Sequence, residues 1–158
     1  MALTVVVGPP AGGKSTWVLE QAKPGDVVID FDRLAVAMSG QGGDPHDHAP
    51  AVTTVTRAAR AAAIEAALKL AGTTDVYLIH SSPGVQRMAQ YREMGAQVVT
   101  IDPGRDVVRG RCKTERPRRM FAVIDEWYRE QQGGQGKVAK GRQSPPVFAF
   151  PSASSREW

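Results

Sequence analysis

The pattern Gly8-x-x-x-x-Gly13-Lys14-Ser15 follows directly on the β-branched run Leu3-Thr4-Val5-Val6-Val7, and nothing else in the chain constrains its fold as tightly. A short run of that kind forms a strand buried on both faces of a parallel sheet. The residues from about Lys14 to Ala22 read as a helix. Strand, glycine-rich turn and helix in that order make a phosphate-binding loop. Gly8, Gly12 and Gly13 permit backbone conformations that turn successive N–H groups inward onto phosphate oxygens. The start of the helix adds the positive end of its dipole at the same place. Gly8, Pro9, Pro10, Ala11, Gly12, Gly13, Lys14, Ser15 and Thr16 are therefore the candidate nucleotide-binding residues. Lys14 is expected to reach the β- and γ-phosphates and the Ser15 hydroxyl to ligate Mg²⁺, which makes ATP with Mg²⁺ the expected ligand.

Further along, Val27-Val28-Ile29, Val76-Tyr77-Leu78-Ile79 and Val98-Val99-Thr100-Ile101 read as three more strands. Helical stretches separate them: Phe31 to Met38, an alanine-dominated segment from about Ala51 to Leu70 closed by Gly72, and Val85 to Met94. Arg105 to Cys112 and Met120 to Glu130 complete the set, with Pro117 between them, and Ser39 to Pro50 reads as a loop. Strands alternating with helices predict a three-layer α/β/α fold with a mainly parallel central sheet. The composition changes after Gln131. Residues 1–131 are the expected P-loop domain, and 132–158 a Gly/Pro/Ser-rich tail without regular structure. The tail's Val147-Phe148-Ala149-Phe150 patch and Trp158 suit packing on the body or on a protein partner.

No apolar run approaches the ~20 residues of a membrane helix. Met1-Ala2-Leu3-Thr4 leads into the first strand without the basic start and cleavage site of a signal peptide. The single cysteine, Cys112, makes no internal disulfide, so a reducing cytoplasm is the expected setting. The net charge of +4 is unevenly spread. Arg105, Arg109, Arg111, Lys113, Arg116, Arg118 and Arg119 face only Asp106 and Glu115, a local excess larger than that of the whole chain. Such a cluster suits a polyanionic or phosphorylated ligand, or else a solvated helix face.

A phosphate loop says what is bound, not what is done with it. Hydrolytic motors place an acid after an apolar strand to hold Mg²⁺ and activate water. Here the third strand runs into His80-Ser81-Ser82, which offers none, and Asp102 after the fourth strand is the fallback. The acids stand instead at the end of the second strand, in Asp30-Phe31-Asp32. If the strand extends that far, its period of two puts both carboxylates on one side, facing the ligand crevice. One carboxylate near Mg²⁺ (Asp30) and one to take a proton from a hydroxyl (Asp32) equip a kinase. Either could instead cap the next helix.

Gly8-Pro9-Pro10-Ala11-Gly12-Gly13-Lys14-Ser15-Thr16-Trp17, with Asp30-x-Asp32 after the second strand, resembles the 5′-kinase domain of phage polynucleotide kinase. The wider group includes zeta-toxin-like and shikimate- or gluconate-type small kinases. The likeness runs weakly to Trp127-Tyr128 and is specific only at the loop and its Trp17. It implies a general-base role for Asp32 and a lid arginine, Arg111 or Arg116, on the transferring phosphate. It also implies an acceptor hydroxyl on a nucleic-acid 5′ end or a nucleotide-like molecule. Two departures weigh on the acceptor: Ala35 stands where the family grips substrate phosphate with an arginine, and Ser81 where it has an aspartate. A nucleoside monophosphate or other small molecule is the alternative acceptor. An ATP-hydrolysing switch or assembly protein is the alternative of another class.

Among the smaller signals, His46-Asp47-His48 lacks the supporting ligands of a structural zinc site and reads as a substrate-contacting loop. His80 reads as polar lining or a satisfied structural histidine. Trp17, Trp127 and Tyr128 read as packing, and Cys112 as structural.

Overall fold

The computed structural model describes residues 2–134. Strands β1 (Leu3–Val7), β2 (Val27–Ile29), β3 (Val76–Ile79) and β4 (Gln97–Thr100) form one parallel sheet in the order β2-β3-β1-β4. Val5 pairs with Leu78 and Val98, and Ile29 with Leu78. Val6 pairs with Ile79 and Val99. Alternate side chains therefore feed two separate cores. On one face Leu3, Val5, Ile29, Val76 and Leu78 meet Ile64, Ala67 and Leu68 of α3 (Pro50–Leu68) and Tyr91 of α4 (Val85–Glu93). On the other, Val6, Ile79, Val99 and Ile101 meet Val18 of α1 (Lys14–Gln21), with Trp17 packed against them. Covering both faces is why the strands carry continuous apolar runs rather than alternation. The result is a three-layer α/β/α fold.

The remaining helices are α2 (Phe31–Met38), α5 (Arg105–Glu115) and α6 (Met120–Gly134). Val108 and Cys112, one turn apart on α5, bury against Ile124 of α6, with Phe121 and Tyr128 alongside. The chain leaves β1 toward β3 and β2, then crosses to β4 on the other side. The carboxyl end of β1 thus lies at the reversal of strand order, where open α/β sheets hold ligands.

Several boundaries depart from expectation. β2 stops at Ile29. Asp30 adopts the extended N-cap conformation of α2 and Asp32 lies inside the first helical turn, so the two carboxylates do not share a strand face. The cause is local: once Asp30 caps the helix, the strand cannot continue. The helix α3 starts at Pro50, where a missing N–H costs nothing, and ends before Gly72. The helix α5 runs on to Glu115 before Pro117 breaks the path, and α6 continues to Gly134. The tail from residue 135, with Phe148, Phe150 and Trp158, lies outside the described residues.

Candidate active site

The loop between β1 and α1 is shaped by what presses on it. Gly8 has φ +152°, and a Cβ there would stand 2.1 Å from the Ile101 carbonyl oxygen, so only glycine lets β1 leave the sheet beside β4. Gly13, with φ +93°, turns the chain into α1. Ala11 holds a left-handed φ of 58° without being glycine, a conformation costing about 1 kcal/mol or more. Pro9 and Pro10 are buried, whereas Thr16 is exposed.

Lys14 is 8% exposed, and its ammonium donates to the carbonyls of Gly8 (2.8 Å) and Pro9 (2.7 Å). Burial, and after it the Arg116 charge, bring its pKa down to about 8, against the opposing pull of Asp30 and Asp32. The Ser15 hydroxyl donates to Asp30 Oδ2 at 2.5 Å, and Asp30 Oδ1 accepts the Asp32 backbone N–H at 3.1 Å. One buried carboxylate thus both caps α2 and faces the phosphate loop, which bears out the capping reading of Asp30. Two adjacent hard oxygens on Ser15 and Asp30 fit Mg²⁺.

Asp32 is the centre of a cluster that nothing in the sequence connects. Arg116 Nη1 donates to its Oδ2 at 2.8 Å, His46 Nδ1 lies 3.1 Å from the same oxygen, and His48 Nε2 lies 3.3 Å from Oδ1. Burial opposes charge on this carboxyl. The Arg116 guanidinium and the two imidazoles outweigh it and hold the group below the ordinary carboxylate range. An ionised carboxylate only accepts, so each facing imidazole nitrogen carries the proton. His48 rests edge-on against Phe31 with 5% of its side chain exposed, and its Nδ1 is buried without a partner among the described residues.

The basic stretch divides. Arg116, the C-cap of α5, reaches Asp32, while Arg111 sends Nη1 to 3.5 Å from the Ala11 carbonyl over the phosphate loop. Arg119 pairs with Asp47. Arg105 and Arg109 turn away, to Asp125 of α6 at 2.7 and 2.6 Å, and Arg109 also lies 5.2 Å from the Phe121 ring centre.

At the end of β3 the chemistry is different. Arg60 of α3 donates to the Ile79 carbonyl (2.6 Å) and stands 3.3 Å from His80 Nδ1, while His80 Nε2 is 3.0 Å from the Tyr91 hydroxyl. A guanidinium cannot accept, so Nδ1 is the acceptor and Nε2 carries the hydrogen. Burial, then the charges of Arg60, Arg87 and Lys14, push the His80 pKa down to about 3. His80 is a neutral structural group, and Trp127 Nε1 closes over the next residue by donating to the Ser81 carbonyl. Asp102 is committed elsewhere. It accepts the Tyr128 hydroxyl at 2.5 Å and the Gly104 N–H at 2.9 Å, so it ties α6 to the turn before α5. Cys112 is fully buried, and that burial raises its thiol pKa.

Sequence reasoning missed the attachment of His46 and His48 to Asp32, and the Arg60–His80–Tyr91 chain. A weak signal existed for each: two imidazoles spaced by one residue in an otherwise small and polar loop, and a cation inside an alanine-rich helix.

Fold and site together define a P-loop α/β protein. No protein-family model matches the chain, and no curated protein matches it. Among solved structures it is similar to the tunicamycin resistance protein of Deinococcus radiodurans. That match is 21% identical over 87% of this chain and 83% of the other, with a TM-score of 0.43. Among the described residues no helix is long and apolar enough to cross a membrane.

Proposed function

We propose that the protein is an ATP-dependent phosphotransferase that moves the γ-phosphoryl group to a hydroxyl. The acceptor is a nucleic-acid 5′ end or a nucleotide-like molecule. The observation that carries this reading is the 2.8 Å pair of Asp32 and Arg116 beside Lys14, whose ammonium responds to both charges. A carboxylate at the centre that removes the proton and an arginine to meet developing phosphoryl charge belong together in such a transfer.

In this reading the backbone N–H groups of Gly8 to Ser15 and the Lys14 ammonium hold the triphosphate. Bound Mg²⁺ supplies charge neutralisation on the phosphate oxygens, and Ser15 and Asp30 are the residues that hold it. Arg116 and Arg111 approach the transferring group from the lid, and the Asp32 centre removes the acceptor's proton. The small-molecule alternative gains support from Ala35, which is 0% exposed and so leaves no room for a phosphate contact at that position. The switch alternative is weakened at β3, because His80 and Ser81 supply no carboxylate there.

The test is transfer of labelled γ-phosphate from ATP·Mg²⁺ to 5′-hydroxyl DNA and RNA oligonucleotides, nucleosides and deoxynucleoside monophosphates. Lys14→Ala and Asp32→Asn proteins run alongside. Label on one class, lost in both variants, is the expected result. Label found only as free phosphate, with Asp32→Asn still active, would sink the reading.

A further inference from the structure

Asp32 is an awkward proton acceptor. Its two oxygens already receive three N–H donors, from Arg116, His46 and His48. A carboxylate so occupied keeps about one of its four lone-pair sites, on Oδ1 beside the His48 ring, for an incoming hydroxyl. The same bonds prepare a different group. Because the carboxylate takes a hydrogen from His46 Nδ1, the neutral ring keeps its lone pair on Nε2, on the side away from Asp32. His46 shares Oδ2 with Arg116, the arginine that the phosphotransferase reading places on the transferring group. Its side chain is 30% exposed, and its Nε2 is not among the buried unpartnered atoms of the described residues, so a ligand can reach it. His48 cannot serve in the same way, because its ring is 5% exposed and its free nitrogen is buried.

Resting on the phosphotransferase reading, we propose that His46 is the group that takes the acceptor's proton. Asp32 then orients His46 rather than acting as the base itself, and His48 holds Asp32 from its second oxygen. In the step, the acceptor O–H bond breaks and its proton passes to His46 Nε2. The freed electron pair forms the new O–P bond. The bond from phosphorus to the bridging oxygen breaks, and its electrons leave with ADP. The imidazolium stays paired with Asp32 and later gives its proton to solvent at the exposed ring edge. Arg119, paired with Asp47 next to His46, pins the loop that carries the base.

Two measurements decide this. Nitrogen-15 spectra of histidine-labelled protein at pH 8 read the tautomer directly. His46 is expected as the Nδ1–H form and to lose that preference in Asp32→Ala, whereas an Nε2–H form in the intact protein overturns the proposal. Labelled-phosphate transfer is then compared for intact protein, His46→Gly and Asp32→Asn, on the acceptor that the intact protein labels. His46→Gly is expected to lose about 10²–10⁴ in rate, keep ATP affinity within threefold, and recover with added imidazole, which a structural role would not do. Transfer in His46→Gly at the intact rate, with Asp32→Asn inactive, overturns this inference and leaves the phosphotransferase standing. Absence of label on every acceptor from the intact protein takes down both.

Discussion

The two ends of α5 come from one basic stretch and do opposite work. At its start, Arg105 and Arg109 lie one turn apart on the flank facing α6 and share Asp125. At its end, Arg111 lies over the phosphate loop from the other flank, and Arg116, just past the helix, reaches Asp32. The local charge excess in the sequence is therefore not one positive field. Asp125, outside the stretch, holds the first pair away from the site, and Arg111 and Arg116 are the two that reach the phosphate loop and Asp32. Helix periodicity decides which arginine faces the ligand, and a charge count along the chain cannot.

The comparison breaks most sharply on Arg116→Ala. If Arg116 meets the transferring phosphoryl group, its loss should lower transfer by about 10³–10⁵, measured at saturating ATP. Arg105→Ala should stay within twofold of the intact protein. Equal losses from both would mean that the basic stretch acts as a diffuse field after all.

The next effect is read in pH. Lys14 titrates near 8, chiefly because it is buried and secondarily because Arg116 repels its charge. A bound triphosphate raises that pKa. The ammonium's contribution to binding is therefore full below pH 8 and declines as pH rises from 8 to the raised pKa of the bound state, by up to about tenfold in affinity per pH unit. Removing Arg116 should move this fall to higher pH, and removing Arg105 should leave it in place. Titration of nucleotide affinity between pH 7 and 10 checks both.

How much of this was readable from sequence follows from how far apart the partners lie. The strand, loop and helix of the phosphate-loop motif were legible because they are consecutive and their order is itself the fold signal, but the left-handed backbone at Ala11 was not. The role of Asp30 was half legible. Its capping of α2 was one of the two readings open to it, but that the cap ends β2 at Ile29 and pulls Asp32 into a helix depends on a local competition that hydrophobic pattern does not record. The residues of the Asp32 cluster were singled out one by one, but the contacts that join them were not legible. Its partners lie 14, 16 and 84 residues away, on a loop and a helix cap with no periodicity to carry them to one point. The end of β3 was legible as a missing carboxylate and as one of two readings of His80, the satisfied structural histidine. The missing carboxylate could be seen, but not that burial and the Arg60 charge keep His80 neutral while it bonds Tyr91.

The smallest effect separates the two outer arginines from each other. Both pair with Asp125, and exposed ion pairs contribute little to stability. Arg109 alone also lies over Phe121, and that contact contributes about 0.5–1 kcal/mol at a partly exposed site. Arg109→Ala should therefore lower Tm by about 2–5 °C with transfer unchanged, while Arg105→Ala should melt with the intact protein. Raising the salt should erase any contribution of the ion pairs but leave the Arg109 difference largely in place, because the ring contact sits against the α5–α6 core, where screening is weaker. An Arg109 difference that vanishes in salt would assign its effect to Asp125. The start of α5 would then be held by surface charge alone, a weaker anchor for the helix that carries Arg111 and Arg116 to the site.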